Sequence, residues 1–176
     1  LLEKIPVKRL EDCSVPLVVA ATNLTLKKEE VFTSGPLIDI VQASGSVPML
    51  FKPVEINGSL YVDGGMVDKA PVQALYDAMK PERIIIHFIA SDNLKVAGNE
   101  FNKKKMTPWH IHHLSINISR QEAYQRQCDA VKRQGIEIIE VETDTPNLGP
   151  NTLERGPAAY SKAKETTTNM LTDIDF

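Results

Sequence analysis

Cysteine is nearly missing from this chain: Cys13 and Cys128 are the two among 176 residues. One potential pair at this length is not a disulfide framework, and reduced, buried thiols are the expectation. Long apolar runs are missing as well. No stretch approaches the ~18 residues that a membrane-spanning helix needs. The two most apolar stretches, Val15 to Ala21 and Ile84 to Ala90, have the length of buried strands. Positive charge is not in excess. Lys and Arg number 20 against 23 Asp and Glu, and the net charge of −3 lacks the basic footprint of a nucleic-acid-binding domain. The opening LLEKIPVKRLEDC has neither an initiator Met nor a basic segment leading into an apolar one, so it does not read as a signal peptide. It reads as the interior of a larger protein, so location is not read from this end; the expectation for the whole protein is cytoplasmic or peripheral to a membrane.

What is present suits one soluble domain. Hydrophobic residues at 42% and charged residues at 24% are ordinary for a packed core of this size. Pro16 to Thr22 is apolar and β-rich, as for a strand buried on both faces. Glu30 to Thr33 predicts a short strand. Ser34-Gly35-Pro36 opens a helix that Gly45 closes, with Leu37, Ile38, Ile40 and Val41 on its apolar face. Asn57-Gly58 is a hairpin turn between Phe51 to Ile56 and Leu60 to Val62. Pro71 starts a helix carrying Val72, Leu75 and Met79, and Ile84 to Ala90 is the most apolar strand. Residues 92–114 read as a surface loop or insertion, Ser115 to Arg133 as a helix, and Ile136 to Val141 as a strand. Asn151 or Thr152 caps a last helix. Apolar strands separated by helices give an α/β class, and residues 1–176 read as a single domain.

The segment with chemical content runs from Gln42 to Val72. A strand delivers Asp63 to its C-terminal end, the end that faces the ligand crevice in α/β sheets. Gly64 and Gly65 follow, permitting unusual backbone angles and close approach. A short carboxylate held beside a sharp turn can act as a general base. Asp-Gly is also among the commonest turn dipeptides, so Asp-Gly-Gly alone leaves both readings open.

The wider frame resembles the patatin-like phospholipase family. It comprises Val15-Pro-Leu-Val-Val-Ala-Ala-Thr-Asn-Leu24, Val31-Phe-Thr-Ser-Gly-Pro-Leu37, the helix end Ala43-Ser-Gly-Ser-Val-Pro48, the hairpin, Val62-Asp-Gly-Gly65 and Ala70-Pro-Val72. The resemblance covers residues 14–91, with only the strand–helix order matching beyond. It implies a partial three-layer α/β/α fold with a mostly parallel central sheet, of which this chain is the C-terminal portion. It implies hydrolysis of acyl-lipid esters by a Ser–Asp dyad without metal or cofactor. Asp63 is then the catalytic aspartate that orients the serine and takes its proton, and Gly64 and Gly65 form the turn that shapes the site. The family's serine lies in a Gly-x-Ser-x-Gly elbow, and a Gly-rich loop supplies oxyanion donors. None of the nine serines here sits in such an elbow, although Ser46 in Ser44-Gly-Ser46 comes nearest. The serine is therefore expected upstream of Leu1, in a missing N-terminal half of the same protein, and residues 1–176 alone are expected to be inactive.

Two departures bear on the site. Lys69 stands where the family commonly has Asn, which removes a loop-holding hydrogen bond and favours an alternative, a non-catalytic lipid- or protein-binding module. Asn23 stands where Asp is frequent. Elsewhere, His110, His112 and His113 read as an exposed loop rather than a metal site, because no Cys completes a ligand set. His87 reads as a satisfied core histidine. Lys103 to Lys105 with Trp109 offer peripheral contact with an anionic membrane surface. Ala123, Tyr124 and Val131 read as a packing face, with Arg126 and Asp129 at the surface.

Overall fold

The computed structural model describes residues 6–90, 107–144 and 153–172. The chain divides into two compact units, Leu1–Glu82 with His110–Ile136, and Arg83–Trp109 with Glu137–Phe176. Strands and helices mix as the α/β class requires.

The first unit holds a four-stranded sheet in the order β2-β1-β4-β3, formed by β1 (Val19–Asn23), β2 (Lys28–Phe32), β3 (Val54–Ile56) and β4 (Ser59–Asp63). Every pairing in it is antiparallel. The expected mostly parallel sheet is thus corrected, and loop length supplies the reason for two of its three pairings. Residues 24–27 join β1 to β2, and Asn57-Gly58 joins β3 to β4. Neither connection is long enough for the crossover that parallel strands need. Asn57 and Gly58 take φ of 52° and 77°, the two left-handed angles of a type I′ hairpin turn.

β1 lies inside the sheet, which explains its apolar run: Ala20 to Asn23 are all buried. Helix α1 (Leu37–Ser44) buries Leu37, Ile40 and Ala43, a spacing of three that keeps one face inward. These meet Leu10, Ala21, Ile56 and Tyr61 in one core, with Phe32 set edge-on to Tyr61 at 5.4 Å. Burying Leu10 is worth about 2 kcal/mol. Its position is fixed by a backbone clip, Leu10 N–H to Gly35 O (2.9 Å) and Leu37 N–H to Lys8 O (3.0 Å). Glu11 reinforces the clip by accepting the Gly35 N–H, which with Arg9 holds its carboxyl down to about 2.

Helix α2 (Val72–Met79) follows the site turn. Helix α3 spans Pro108–Lys132 and therefore starts at Pro108 rather than Ser115. Residues 108–114, expected in a loop, are helical, while residues 92–106 lie outside the described residues. Of the expected packing face, Tyr124 and Val131 are buried and Ala123 only partly so; Cys128 joins them, and Arg126 and Asp129 are exposed. Cys13 and Cys128 are free thiols, of which only Cys128 is fully buried.

In the second unit, β5 (Arg83–Ala90) and β6 (Glu137–Asp144) pair in parallel, the two parallel strands among the described residues, and α4 (Gly156–Thr172) packs on β6. Ile84 and Ile86 are buried while Ile85 is 42% exposed, so β5 buries one face rather than two. His87 is satisfied by Thr143 Oγ1 at 2.8 Å, yet its side chain is exposed and not in a core. The caps expected at Asn151 or Thr152 lie outside the described residues. Among those described, no helix is long and apolar enough to cross a membrane.

Candidate functional site

β4 carries Asp63 to its last position, opposite Ala21 of β1. Three hydrogen bonds fix it there. Its N–H donates to Ser46 O (3.0 Å), its carbonyl accepts from Thr22 Oγ1 (2.8 Å), and its carboxylate Oδ1 accepts the Gly65 N–H (2.7 Å). The side chain is half-buried and caps the single 3-10 turn Gly64–Met66. The carboxylate is thus oriented by its own turn.

The two glycines are required for room. A Cβ on Gly64 would lie 2.4 Å from Ala20 O and 2.8 Å from Ala20 C, so the turn rests directly on the backbone of β1. A Cβ on Gly65 would lie 2.8 Å from Asp63 Oδ1 and 3.1 Å from Arg120 Nη2. Of the two roles the sequence allowed for these residues, close approach is the one the structure uses.

Behind the turn, Asp68 takes the holding role that the Lys69 departure left open. Asp68 is 6% exposed. Its Oδ1 accepts Ala70 N–H (3.1 Å), its Oδ2 accepts Gln127 Nε2 (2.7 Å), and its own N–H returns to Gly64 O (3.0 Å). Gln127 Oε1 in turn accepts Gln73 N–H, tying α3 to the start of α2. Lys69 reaches sideways, donating to Gln121 Oε1 (2.8 Å) with its ammonium 5.3 Å from the Tyr124 ring centroid. The turn after Asp63 is thus held by a different residue from the one expected. Asn23 is equally employed. Its Nδ2 donates to Glu30 Oε2 (2.7 Å) while its Oδ1 accepts Leu26 N–H (2.8 Å), and an Asp has no proton for the first bond.

Charge around the site is unevenly settled. Glu29 on β2 has a buried Oε1 without a partner, and burial, then the nearby Asp68 charge, push its pKa up. Tyr61 is raised by burial and by its hydrogen bond to Glu30 (3.0 Å). Arg120, on α3, donates from Nη1 to Asn117 Oδ1 at 3.3 Å, and its buried Nε has no partner.

Ser46 does not meet the Asp63 carboxylate as a nucleophile. Its hydroxyl donates to Gln42 O at 2.7 Å, and its contribution to Asp63 is through the backbone. An open hollow beside it is lined by Val41, Gln42, Gly45, Phe51, Pro53 and Val54. The following loop exposes Met49 at 79%, Leu50 at 59% and Phe51 at 61%. The lysines expected to touch membranes, Lys103 to Lys105, lie outside the described residues, as do the side chains of Trp109, His110 and His113. His112 belongs to α3 rather than to a loop. Asp68 and Arg120 were missed in the sequence. An Asx turn at Asp68 was readable from its position before Lys-Ala-Pro, whereas nothing local marks Arg120.

Residues 2–76 match the family model described as patatin-like phospholipase. The lysophospholipase NTE1 of Cryptococcus neoformans is 38% identical over 66 residues, 38% of this chain and 4% of that protein. An NTE family protein of Mycobacterium tuberculosis is 35% identical over 63 residues, 36% of this chain and 18% of its own length. A protein of Invertebrate iridescent virus 6 named "Probable lipid hydrolase 463L" is 29% identical over 141 residues, 77% of this chain and 40% of its own. The chain therefore spans a minor part of each of these relatives.

Proposed function

Because residues 2–76 of this chain belong to the patatin-like phospholipase family, we propose that it is part of a lipid acyl hydrolase in which Asp63 is the base of a Ser–Asp dyad. The serine comes from sequence outside residues 1–176. The observation that carries this reading is the Asp63 carboxylate itself. It is half-buried at a strand end and its Oδ1 is engaged by the Gly65 N–H, which on this reading leaves Oδ2 for the serine hydroxyl.

The chemistry follows from that placement. As the serine Oγ attacks the ester carbonyl, its proton passes to Asp63, and the carbonyl electron pair moves onto oxygen. Collapse of the tetrahedral species expels the alcohol, which takes the proton back from Asp63. Water then attacks the acyl-serine carbonyl and gives its proton to Asp63; collapse releases the fatty acid, and the departing serine Oγ takes that proton back from Asp63. The relatives named lysophospholipase favour a phospholipid with a single acyl chain as substrate. The exposed Met49, Leu50 and Phe51 suit peripheral contact with the acyl-lipid surface that presents it.

In the intact protein, Asp63→Asn is expected to lower lysophospholipid turnover by at least ~10²-fold, and a fluorophosphonate probe should label a serine outside this segment. Near-normal turnover in that variant overturns the assignment. Complete absence of labelling in active-site profiling of the intact protein favours the non-catalytic binding module instead.

A further inference from the structure

We infer that Arg120 recognises the phosphodiester of a lipid headgroup next to Asp63. The inference rests on Asp63 being the catalytic base, and it adds the group that selects phospholipid over neutral ester. Arg120 comes from α3, far along the chain, yet its Nη2 lies 3.1 Å from the point where a Gly65 side chain would begin. Asp63 Oδ1 lies 2.8 Å from the same point. The missing side chain of Gly65 therefore lets a guanidinium stand close to the carboxylate, with less than a methyl group's room between them at this point.

The state of the guanidinium indicates what its unpartnered edge would take. Asn117 Oδ1 holds Nη1, with a long 3.3 Å bond from a neutral acceptor. The other edge of the fork consists of Nε and Nη2, and Nε is buried with no partner. Buried donors without acceptors are rare in folded proteins, and each calls for an explanation. A phosphate supplies two oxygens at the spacing of one guanidinium edge, with charge assistance that an amide or alcohol lacks. Three of the four oxygens of Asp63 and Asp68 are already engaged, and Asp63 Oδ2 is the one assigned to the serine. Asp63 Oδ1 is taken by Gly65 N–H, and both oxygens of Asp68 are taken by Ala70 and Gln127.

The substrate geometry agrees. In a glycerophospholipid the short glycerol backbone separates the acyl ester from the phosphate. The base that serves the ester and the cation that holds the phosphate must then be neighbours without touching. The cation also offsets the repulsion between the phosphate and Asp63.

The test is direct binding to the intact protein by titration calorimetry, using a short-chain ether lysophospholipid, which cannot be hydrolysed, and the alkylglycerol of the same chain. Arg120→Gln is expected to weaken the ether lysophospholipid by ~10- to 100-fold, the range for a hydrogen bond to a charged group. It should leave the alkylglycerol unchanged. Arg120→Lys, which keeps the charge and loses the fork, should fall between. Equal weakening of both lipids, or of neither, overturns the inference. Inorganic phosphate binding as tightly as the ether lipid, and equally dependent on Arg120, would assign the site to free phosphate and overturn the headgroup assignment. Turnover by Asp63→Asn is read separately. If that variant stays active while Arg120→Gln loses the phosphate-dependent affinity, the dyad fails and the phosphate site stands. The reverse pattern rejects Arg120 alone.

Discussion

Two loops meet at a single hydrogen bond, from Asp63 N–H to Ser46 O, and they could hardly be built more differently. The turn after β4 is closed. Its glycine lies on the backbone of β1, and the buried Asp68 gathers two donors. The loop after α1 is open. It turns Met49, Leu50 and Phe51 outward, and Met49 adopts φ of 73°, an angle that an L side chain rarely takes. The contrast teaches a division of labour. On the proposed function, the carboxylate requires a fixed aim, which its over-determined turn supplies, and the apolar area of the open loop suits contact with lipid.

The largest expected effect comes from breaking the closed turn. Gly64→Ala puts a methyl into Ala20 O and is expected to cost the intact protein about 3 kcal/mol or more. Denaturant unfolding checks it. The matched change in the open loop, Leu50→Ser, should stay within about 0.5 kcal/mol. Equal losses would erase the contrast.

Next comes Asp68→Ala. It leaves Gln127 Nε2 and Ala70 N–H without their acceptor, an expected loss of about 2 kcal/mol, together with a fall in turnover because the turn that aims Asp63 loosens. A variant with normal turnover and lowered stability would show that Asp68 serves the fold only.

The smallest effect sharpens the electrostatic side. Glu29 is raised by burial and by the Asp68 charge, so the folded protein holds its proton more tightly than the unfolded chain does. The stability this contributes is present below its ordinary value of 4.5 and is lost as pH rises through the raised folded value. Glu29→Gln should therefore melt a little higher than the parent at pH 7 and level with it near pH 4. Scanning calorimetry at the two pH values reads the difference. A gap that persists at pH 4 would rule out titration as its source.

Much of this was legible in the chain because it is local. Asn57-Gly58 announces its turn since only such residues accept two left-handed angles, and Gly45 ends α1 where it was expected. Asp63 stood out through the frame around it. The antiparallel order was not legible, because pairing of β1 with β4 is set by packing between segments far apart in sequence. For the same reason Arg120 was invisible, since no spacing links it to Gly65. Lys69 misled in the opposite sense. A one-residue reading saw a lost hydrogen bond, whereas the bond had moved to its neighbour Asp68.

The antiparallel register of β1 with β4, Ala21 against Asp63, governs where the gene can gain or lose codons. A one-residue insertion inside β1 would turn its partners to the opposite face. A two-residue insertion would displace the carboxylate about 7 Å along the strand. The same insertion in residues 24–27 lengthens a surface turn and leaves the pairing untouched. Length variation among functional versions of this protein should therefore collect in that turn and spare the strand beside it.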